Sequence, residues 1–456
     1  MKLKKELKTF PKGGVHPADN KLSANRPIEE LPLPQTVAIP VSQHLGAPAK
    51  PIVAVGDTVK VGQVIAESGG YVSTNIHATA SGIVAKIEDV MDATGYRRLA
   101  VIINVEGDNW LENIDRTPDI KSEINASQEE IIKKVQADGI VGLGGATFPL
   151  HVKLTPPKGK KAEMLLINGV ECEPFLTADH RLMLEKGQEI LVGIRIVMRA
   201  LDVEKTLIGI EANKLDAIEY LRTLTEGDVG IHVIPLKVQY PQGAEKQLVE
   251  ALTSHQVPIG GLPIDVGIVV QNIGTIFAVY ESIQKNKPLV DRVITVTGKK
   301  LINPSNFLVR FGVPTIDLIK AAGGLPQDTG KIISGGPMMG KALNTSDVPV
   351  TKGTSGILVL SKNEAKREEV LPCIRCARCV SHCPLGLEPY LLMSLVEKGM
   401  IDEAEKEIIT NCCECGSCAY VCPAKRPLLD YIRLGKSIIM QRNREANQKA
   451  VQEARK

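Results

Sequence analysis

Residues 373–384 read CIRCARCVSHCP, and residues 412–423 read CCECGSCAYVCP. Each stretch carries the spacing C-x2-C-x2-C-x3-C-P: Cys373, Cys376, Cys379 and Cys383 before Pro384, then Cys412, Cys415, Cys418 and Cys422 before Pro423. Three thiolates at three-residue intervals wrap one iron–sulfur cube, while the fourth, turned away by proline, reaches the neighbouring cube. The spacing therefore predicts two [4Fe-4S] clusters with crossed ligation. One takes Cys373, Cys376, Cys379 and Cys422; the other takes Cys412, Cys415, Cys418 and Cys383. A structural zinc site stops at four ligands in two knuckles, so a third cysteine in each run is surplus to zinc. Thiols crowded this closely suit a reducing compartment and a metal better than disulfides. Cys413 is expected to be a bystander.

Between the two motifs, Leu391, Leu392, Leu395, Val396, Met400, Ala404 and Ile408 recur at helical intervals, interrupted at Gly399. Two short helices should separate the ligand loops, making an α-helical two-cluster module whose chemistry is one-electron transfer.

The whole chain sets wider bounds. Its 456 residues allow about three or four domains, and 43% hydrophobic with 23% charged residues is ordinary globular composition. A net charge of +3 gives no argument for nucleic acid. The longest apolar candidate, VGIVVQNIGTIFAVY, is cut by Gln271, Asn272 and Gly274, so no transmembrane segment is expected. The N-terminus MKLKKELKTFPKGG lacks an apolar signal core, which points to a cytosolic protein. Basic residues gather at both ends: Lys2, Lys4, Lys5, Lys8 and Lys12, then Lys425, Arg426, Arg433, Lys436, Arg442, Arg444, Lys449, Arg455 and Lys456. The C-terminal run, with apolar Leu428, Leu429, Ile432, Ile438 and Ile439, reads as a basic helix that docks the cluster domain onto a membrane-bound partner.

Residues 37–106 alternate β-branched runs with glycine turns. Val55-Gly56-Asp57-Thr58-Val59 with Gly62-Gln63, followed by Ser81-Gly82-Ile83-Val84, resembles the biotinyl and lipoyl barrel-sandwich domain. The hairpin ESGGYVSTNIHATA lacks the lysine on which a swinging arm would be built, so a structural or docking role is expected. A polar stretch near 116–126 reads as a linker, and Ser127 with Glu130 as a capping box starting a helix.

That helix runs into Gly142-Leu143-Gly144-Gly145, where the backbone can approach a phosphate or ring and offer amide N–H groups to a flavin phosphate. The apolar Leu165-Leu166-Ile167 then ends in Asn168-Gly169-Val170-Glu171-Cys172-Glu173-Pro174, with Asp179-His180-Arg181 behind it. A strand that delivers Asn and two Glu at its carboxyl end is where an α/β sheet builds a ligand site. Cys172 is read as a packing residue, and neither His151 nor His180 is assigned as a ligand.

GLGGATFP, INGVECEP with DHR, the turn Tyr240-Pro-Gln-Gly243-Ala-Glu245 and Val270-Gln271-Asn272-Ile273-Gly274-Thr275 occur in this order, and the chain thereby resembles the flavin- and NADH-binding subunit of respiratory complex I. With a barrel domain in front and paired cysteine motifs behind, it resembles more closely the RnfC subunit of the Rnf ion-translocating ferredoxin:NAD oxidoreductases. The resemblance spans residues 10–430. It implies non-covalent FMN contacted by Gly142, Gly144, Lys153, Asn168, Glu171, Tyr240, Gly243, Asn272 and Thr275, with Glu173 as the catalytic-site carboxylate near the nicotinamide of NAD(H). Val170 stands where the complex I pattern has aspartate, and Ala244 where it has the first of two glutamates. RVITVTG, VPTIDLIKAAGGL and KIISGGPMMG resemble the soluble-ligand-binding β-grasp module, with Gly335–Gly340 read as a structural turn.

The expected fold is thus multidomain α/β plus α+β. It comprises a barrel-sandwich domain with N-terminal extension (1–120), a Rossmann-like FMN/NADH domain (121–290), a β-grasp domain (291–360), a two-[4Fe-4S] ferredoxin-type domain (361–435) and a basic C-terminal helix (436–456). The expected function is electron transfer between NAD(H) and ferredoxin through FMN and two clusters. The chain would be a peripheral subunit of a membrane complex on the cytoplasmic side, meeting ferredoxin indirectly. A flavin must stand in the chain because nicotinamide moves a hydride and a cube a single electron. The alternative is the cobalamin reductase of diol-degrading microcompartments, whose flavin motif lies near its own N-terminus.

Overall fold

The computed structural model describes residues 7–453, with side chains through residue 446. Lys2, Lys4, Lys5, Lys449, Arg455 and Lys456 lie outside the described residues or side chains.

The glycine turns of residues 36–105 close a small β-domain. A four-stranded sheet in the order Thr36–Pro40, Arg97–Val105, Gly82–Met91, Thr58–Val59 faces a three-stranded sheet of Lys50–Pro51, Val64–Glu67 and Ile76–His77. Between them Val37, Ile39, Val59, Ile65, Ile76, Val84, Val101 and Ile103 are fully buried, the alternate positions of their strands. The lysine-free hairpin turns inward. Thr74 Oγ1 and Asn75 Nδ2 donate to the carbonyls of Gln136 and Ala137, at 2.7 and 3.1 Å, and Tyr71 packs edge-on against His151 with centroids 5.9 Å apart. It fastens the barrel to the next domain.

There, four parallel strands run in the order Ile231–Leu236, Thr206–Glu211, Met164–Asn168, Ile268–Asn272. In chain order this is 3-2-1-4, so the winding reverses between Met164–Asn168 and Ile268–Asn272 and leaves a crevice at their carboxyl ends. Helices cover both faces, and Thr206–Glu211 is buried at every residue, as a central parallel strand must be. Ser127 and Glu130 form the reciprocal cap that the sequence announces for Gln128–Ala137.

The third unit is a six-stranded mixed sheet that carries the helices Thr315–Ala321 and Lys362–Ala365, and Ala178–Glu185 of the preceding unit packs on its strand Asp291–Thr297. Its edge strand, Ile28–Glu30, comes from the N-terminal extension and pairs parallel to Ser305–Arg310. The extension is therefore not an appendage of the barrel. Before reaching this edge it exchanges hydrogen bonds between Val15 and Tyr240, at 2.7 and 2.8 Å, and its Gly14 N–H donates to His382 O at 3.0 Å.

The last unit is helical, and Pro389–Glu397 and Ile401–Lys406 are the two spacer helices, separated by Gly399 at φ +72°. The expected division at 435/436 falls inside a helix and is corrected accordingly. Leu428–Glu453 is one continuous helix, and Leu428, Ile432 and Ile439 belong to the core of the cluster domain. Gly435 makes the approach possible, since a Cβ there would lie 2.6 Å from Val396 Cγ2 and 2.9 Å from Ile409 Cδ1. Arg442 pairs with Asp402 and Glu405 of the spacer helix, so the basic segment is bound into this domain up to that residue.

Candidate flavin and iron–sulfur sites

The crevice is built from two asparagines side by side, Asn168 and Asn272, paired in register at their strand ends. Asn272 caps the thirteen-residue helix Ile273–Lys285, its Oδ1 accepting from Gly274 N and Thr275 N, and its Nδ2 donates to Asp179 at 2.6 Å. That helix aims its N-terminus into the crevice. Thr275, buried, receives the Leu143 N–H at 2.8 Å and so ties the glycine-rich loop to the same helix. Gly142 and Phe148 close the loop at 2.9 Å. Gly144 lies so close that an added Cβ would stand 3.3 Å from Asn272 Cβ. Asn168 Nδ2 donates to Gly243 O at 2.8 Å, and a Cβ on Gly243 would meet Cys172 Sγ, Val170 and Asn168 at 3.3–3.5 Å. Lys153 pairs with Glu245 at 2.7 Å beside the Val270 carbonyl.

Three further expected residues have other polar partners. Glu171, at φ +44°, gives its carboxylate to the N–H groups of Asp179 and His180, at 2.9 and 3.2 Å, and thereby caps helix Ala178–Glu185. Burial and the Glu171 charge push Asp179 up to about 7. The Tyr240 hydroxyl points away from the sheet and donates to the Cys415 carbonyl at 2.7 Å, tying the flavin-side turn to the cluster loop. Glu173 is gripped by the Gly335–Gly340 turn, accepting Met338 N–H at 3.1 Å and Met339 N–H at 2.8 Å. A Cβ on Gly336 would stand only 2.3 Å from its Oε2. The turn is a seat for this carboxylate, and burial outweighs the two amides to raise Glu173 to about 7.

A carboxyl raised in this way contributes stability that is complete below its unfolded value, near 4.5, and is lost as pH rises through about 7. Melting temperature of the Glu173→Gln variant should therefore be flatter between pH 5 and pH 8 than that of the wild type. The difference is up to about 3 kcal/mol across the window. An unchanged pH slope would place Glu173 in water.

Sequence reasoning missed the cations around this crevice. Lys21 and Lys214 reach carbonyls of the 170–176 loop, and Arg292, fully enclosed, donates to Leu143 O at 3.1 Å and to Lys352 O. Nothing in the local pattern around Lys21 separates it from a surface lysine. His151 Nε2 lies 2.9 Å from Tyr71 O, with its buried Nδ1 unpartnered among the described residues, and His180 Nε2 lies 2.8 Å from Asp216.

Cysteines of the two motifs meet across them. Cys383 of the first motif lines one cavity with Cys412, Cys413, Cys415 and Cys418 of the second. Cys422 of the second packs with Cys379 of the first around Met393, Leu428 and Cys418. Leu387 N–H donates to Cys383 Sγ at 3.3 Å and Glu414 N–H to Cys412 Sγ at 3.4 Å, the kind of amide bond that steadies a ligand thiolate. Lys436 donates to Cys412 O at 2.6 Å and joins Arg433 on Glu414, so two basic residues of the C-terminal helix brace this inner loop. Cys413 also lines that cavity and packs with Tyr240, Cys172 and Met338 on its flavin side. Cys373 and Cys376, by contrast, are exposed within a stretch, 366–378, that is exposed throughout.

The donor sets fit both cofactors. Cys379, Cys383, Cys412, Cys415, Cys418 and Cys422 gather across the two motifs, and Cys373 and Cys376 stand apart in the exposed stretch. Among the described residues no three such side chains converge closely enough to hold a single metal ion, so it is the number and chemistry of the thiols that suit two cubes. Loop amides, a helix N-terminus, Lys153 and close-approach glycines at a switch point suit a phosphorylated flavin. Buried Gln271 Nε2, at the same strand end, has no partner among the described residues.

Comparison with known proteins assigns each unit. Residues 8–108 match the RnfC barrel sandwich hybrid domain, 135–281 the Nuo51 FMN-binding domain, 293–342 the SLBB domain and 363–424 a 4Fe-4S dicluster domain. The chain is 47% identical to the C subunit of the proton-translocating ferredoxin:NAD(+) oxidoreductase complex of Clostridium ljungdahlii, covering 94% of each chain. It is 45% identical to the Na(+)-translocating counterpart of Acetobacterium woodii, covering 96% of this chain and 98% of that one. A chain of an NAD+-reducing [NiFe]-hydrogenase shares the fold, with TM-score 0.50 at 17% identity over 68% of this chain and 62% of that one.

Proposed function

The chain belongs to the RnfC family of subunits of ion-translocating ferredoxin:NAD(+) oxidoreductase complexes, and on that premise we propose that it carries electrons between NAD(H) and the one-electron carriers of its complex. The observation that bears most weight is the tie between the two sites, Tyr240 OH to Cys415 O, which holds the inner cysteine loop directly against the flavin-side turn. Bound FMN supplies the conversion between a two-electron hydride and single electrons, and the two [4Fe-4S] clusters supply the relay.

The residues of this chain give that relay a direction in space. Gly142, Gly144, Asn168, Gly243, Asn272 and Thr275 shape a Rossmann-like crevice in which FMN is held without a covalent bond. Glu173, seated on the β-grasp turn, bounds the side where NAD(H) would lie. Cys412, Cys415, Cys418 and Cys383 hold the inner cluster, shielded by Tyr240 and the extension. Cys373, Cys376, Cys379 and Cys422 hold the outer one. The exposed stretch 366–378, with Ile374 67% exposed beside two ligands, is the face from which an electron leaves for the next subunit, with ferredoxin met only beyond it.

The docking role expected of the basic helix narrows, because Arg433, Lys436 and Arg442 are engaged within the domain. What it can offer a partner is its outward face, with Leu434, Ile438 and Met440 exposed. No described helix is long and apolar enough to cross a membrane, and the relatives named for different coupling ions match this chain about equally well. We therefore assign ion movement to other subunits, and this chain to the cytoplasmic side as a peripheral member. The cobalamin-reductase alternative gains no support from these relatives.

Anaerobically reconstituted protein should bind one FMN and about eight irons per chain, and reduce an artificial acceptor with NADH only while FMN is bound. Full iron with no flavin-dependent NADH oxidation would overturn the reading in favour of a relay scaffold.

A further inference from the structure

The loop that carries Glu171 and Glu173 is bent against its own preferences. Glu171 and Phe175 both sit in the left-handed region, at φ +44° and +72°, and a bulky aromatic is an outlier there. Such backbone persists only where its surroundings over-determine it. The surroundings are two ammonium groups, of buried Lys214 and half-buried Lys21. Lys214 Nζ donates to Val170 O at 2.7 Å, and Lys21 Nζ donates to three carbonyls at once, Glu171 at 2.8, Glu173 at 2.9 and Leu176 at 2.7 Å. The rest of the extension reinforces the grip: Asp19 O accepts Phe175 N–H at 2.8 Å, and Ser23 Oγ lies 2.6 Å from Thr177 Oγ1.

We propose that Lys21 is a positioning residue of the flavin and nicotinamide site, its three donors fixing the 171–176 loop and with it the carboxylates of Glu171 and Glu173. The proposal deepens the function argued above and rests on it. An ammonium has three N–H donors and no acceptor, so three convergent carbonyls use it completely. Among the described residues it makes no ion pair, and its whole polar capacity goes to this one loop. Burial and the nearby Lys214 charge lower Lys21 to about 8, which leaves it protonated at neutral pH. Without it, three carbonyls inside the protein lose their partner, and the left-handed turns lose what holds them.

The test compares Lys21→Met and Lys21→Arg with the wild type in the full chain, reconstituted with FMN and clusters. Lys21→Met should raise the FMN dissociation constant at least about tenfold and raise KM for NADH more than it lowers kcat. Iron content and the signal of the dithionite-reduced clusters should stay at wild-type values. Lys21→Arg, which keeps charge and donors, should stay within about threefold of wild type in FMN affinity. FMN and NADH binding unchanged in Lys21→Met would overturn the proposal. Should Lys21→Met fail to fold, loss of FMN from a folded, iron-replete Lys21→Arg would also overturn it. A wild-type chain that binds no FMN sinks the functional reading itself, whereas a wild type and Lys21→Met that bind FMN alike sink only this inference.

Discussion

Cys383→Ser should remove the inner cluster alone, lowering iron from about eight to about four per chain and cutting electron transfer beyond the flavin at least about a hundredfold, while NADH still reduces FMN. Cys383 stands among the ligands of the first motif in sequence, yet it shares a cavity with Cys412, Cys413, Cys415 and Cys418. Serine offers a harder and far less acidic donor in the same volume, so the change tests ligation more than packing. Double variants decide the pairing. Cys373→Ser with Cys383→Ser strikes both clusters under crossed ligation and should leave almost no iron. If each motif served its own cluster, the same pair would strike one and leave about four. The opposite combination, Cys383→Ser with Cys415→Ser, should leave about four only if the crossing is right.

Gly144→Val should abolish stoichiometric flavin, with FMN affinity falling by more than about a hundredfold. The glycine faces Asn272 so closely that even a Cβ would stand at 3.3 Å, and two further methyls would have to enter the crevice between the loop and the helix N-terminus. The loop cannot retreat easily, because Leu143 on one side is fastened to Thr275 and Arg292. A side chain there occupies the space the ligand's phosphate or ring needs, while the sheet beneath is untouched. Iron content should therefore stay near eight. Stoichiometric FMN in that variant would move the flavin elsewhere.

Much of this was legible because ligation and close approach leave marks that do not depend on distant contacts. Cysteine spacing encodes which sulfur faces which cube, and glycines with Asn168 and Asn272 mark strand ends where a backbone must come close. What was not legible depends on long-range capture. Lys21 meets its carbonyls across some 150 residues of chain, and a lysine in a polar arm gives no local sign of being buried. Glu173 reads as a carboxylate near the nicotinamide, without its seat, because the Met338 and Met339 amides that hold it come from another domain. Tyr240 reads as a flavin contact, yet its hydroxyl is spent on Cys415. The C-terminal helix reads as a detachable basic tail, because the periodicity of Leu428 to Ile439 shows an apolar face without showing that Val396 and Ile409 cover it. Deleting residues 437–456 would therefore remove Ile439 and Arg442 from the cluster domain along with any docking face.

The unequal shelter of the two cysteine groups sets an order of failure under oxygen. Oxidants attack a cube where its irons or ligands meet solvent, and thiolate oxidation likewise follows exposure. Cys373 and Cys376 stand in the open, while Cys383, Cys415 and Cys418 are each less than a tenth exposed. Damage should begin at the outer cluster and halt there for a time, leaving a chain that still takes electrons from NADH and can no longer hand them on. That half-oxidised state is a fuse. It would break the circuit at the surface before the flavin-side cavity is breached.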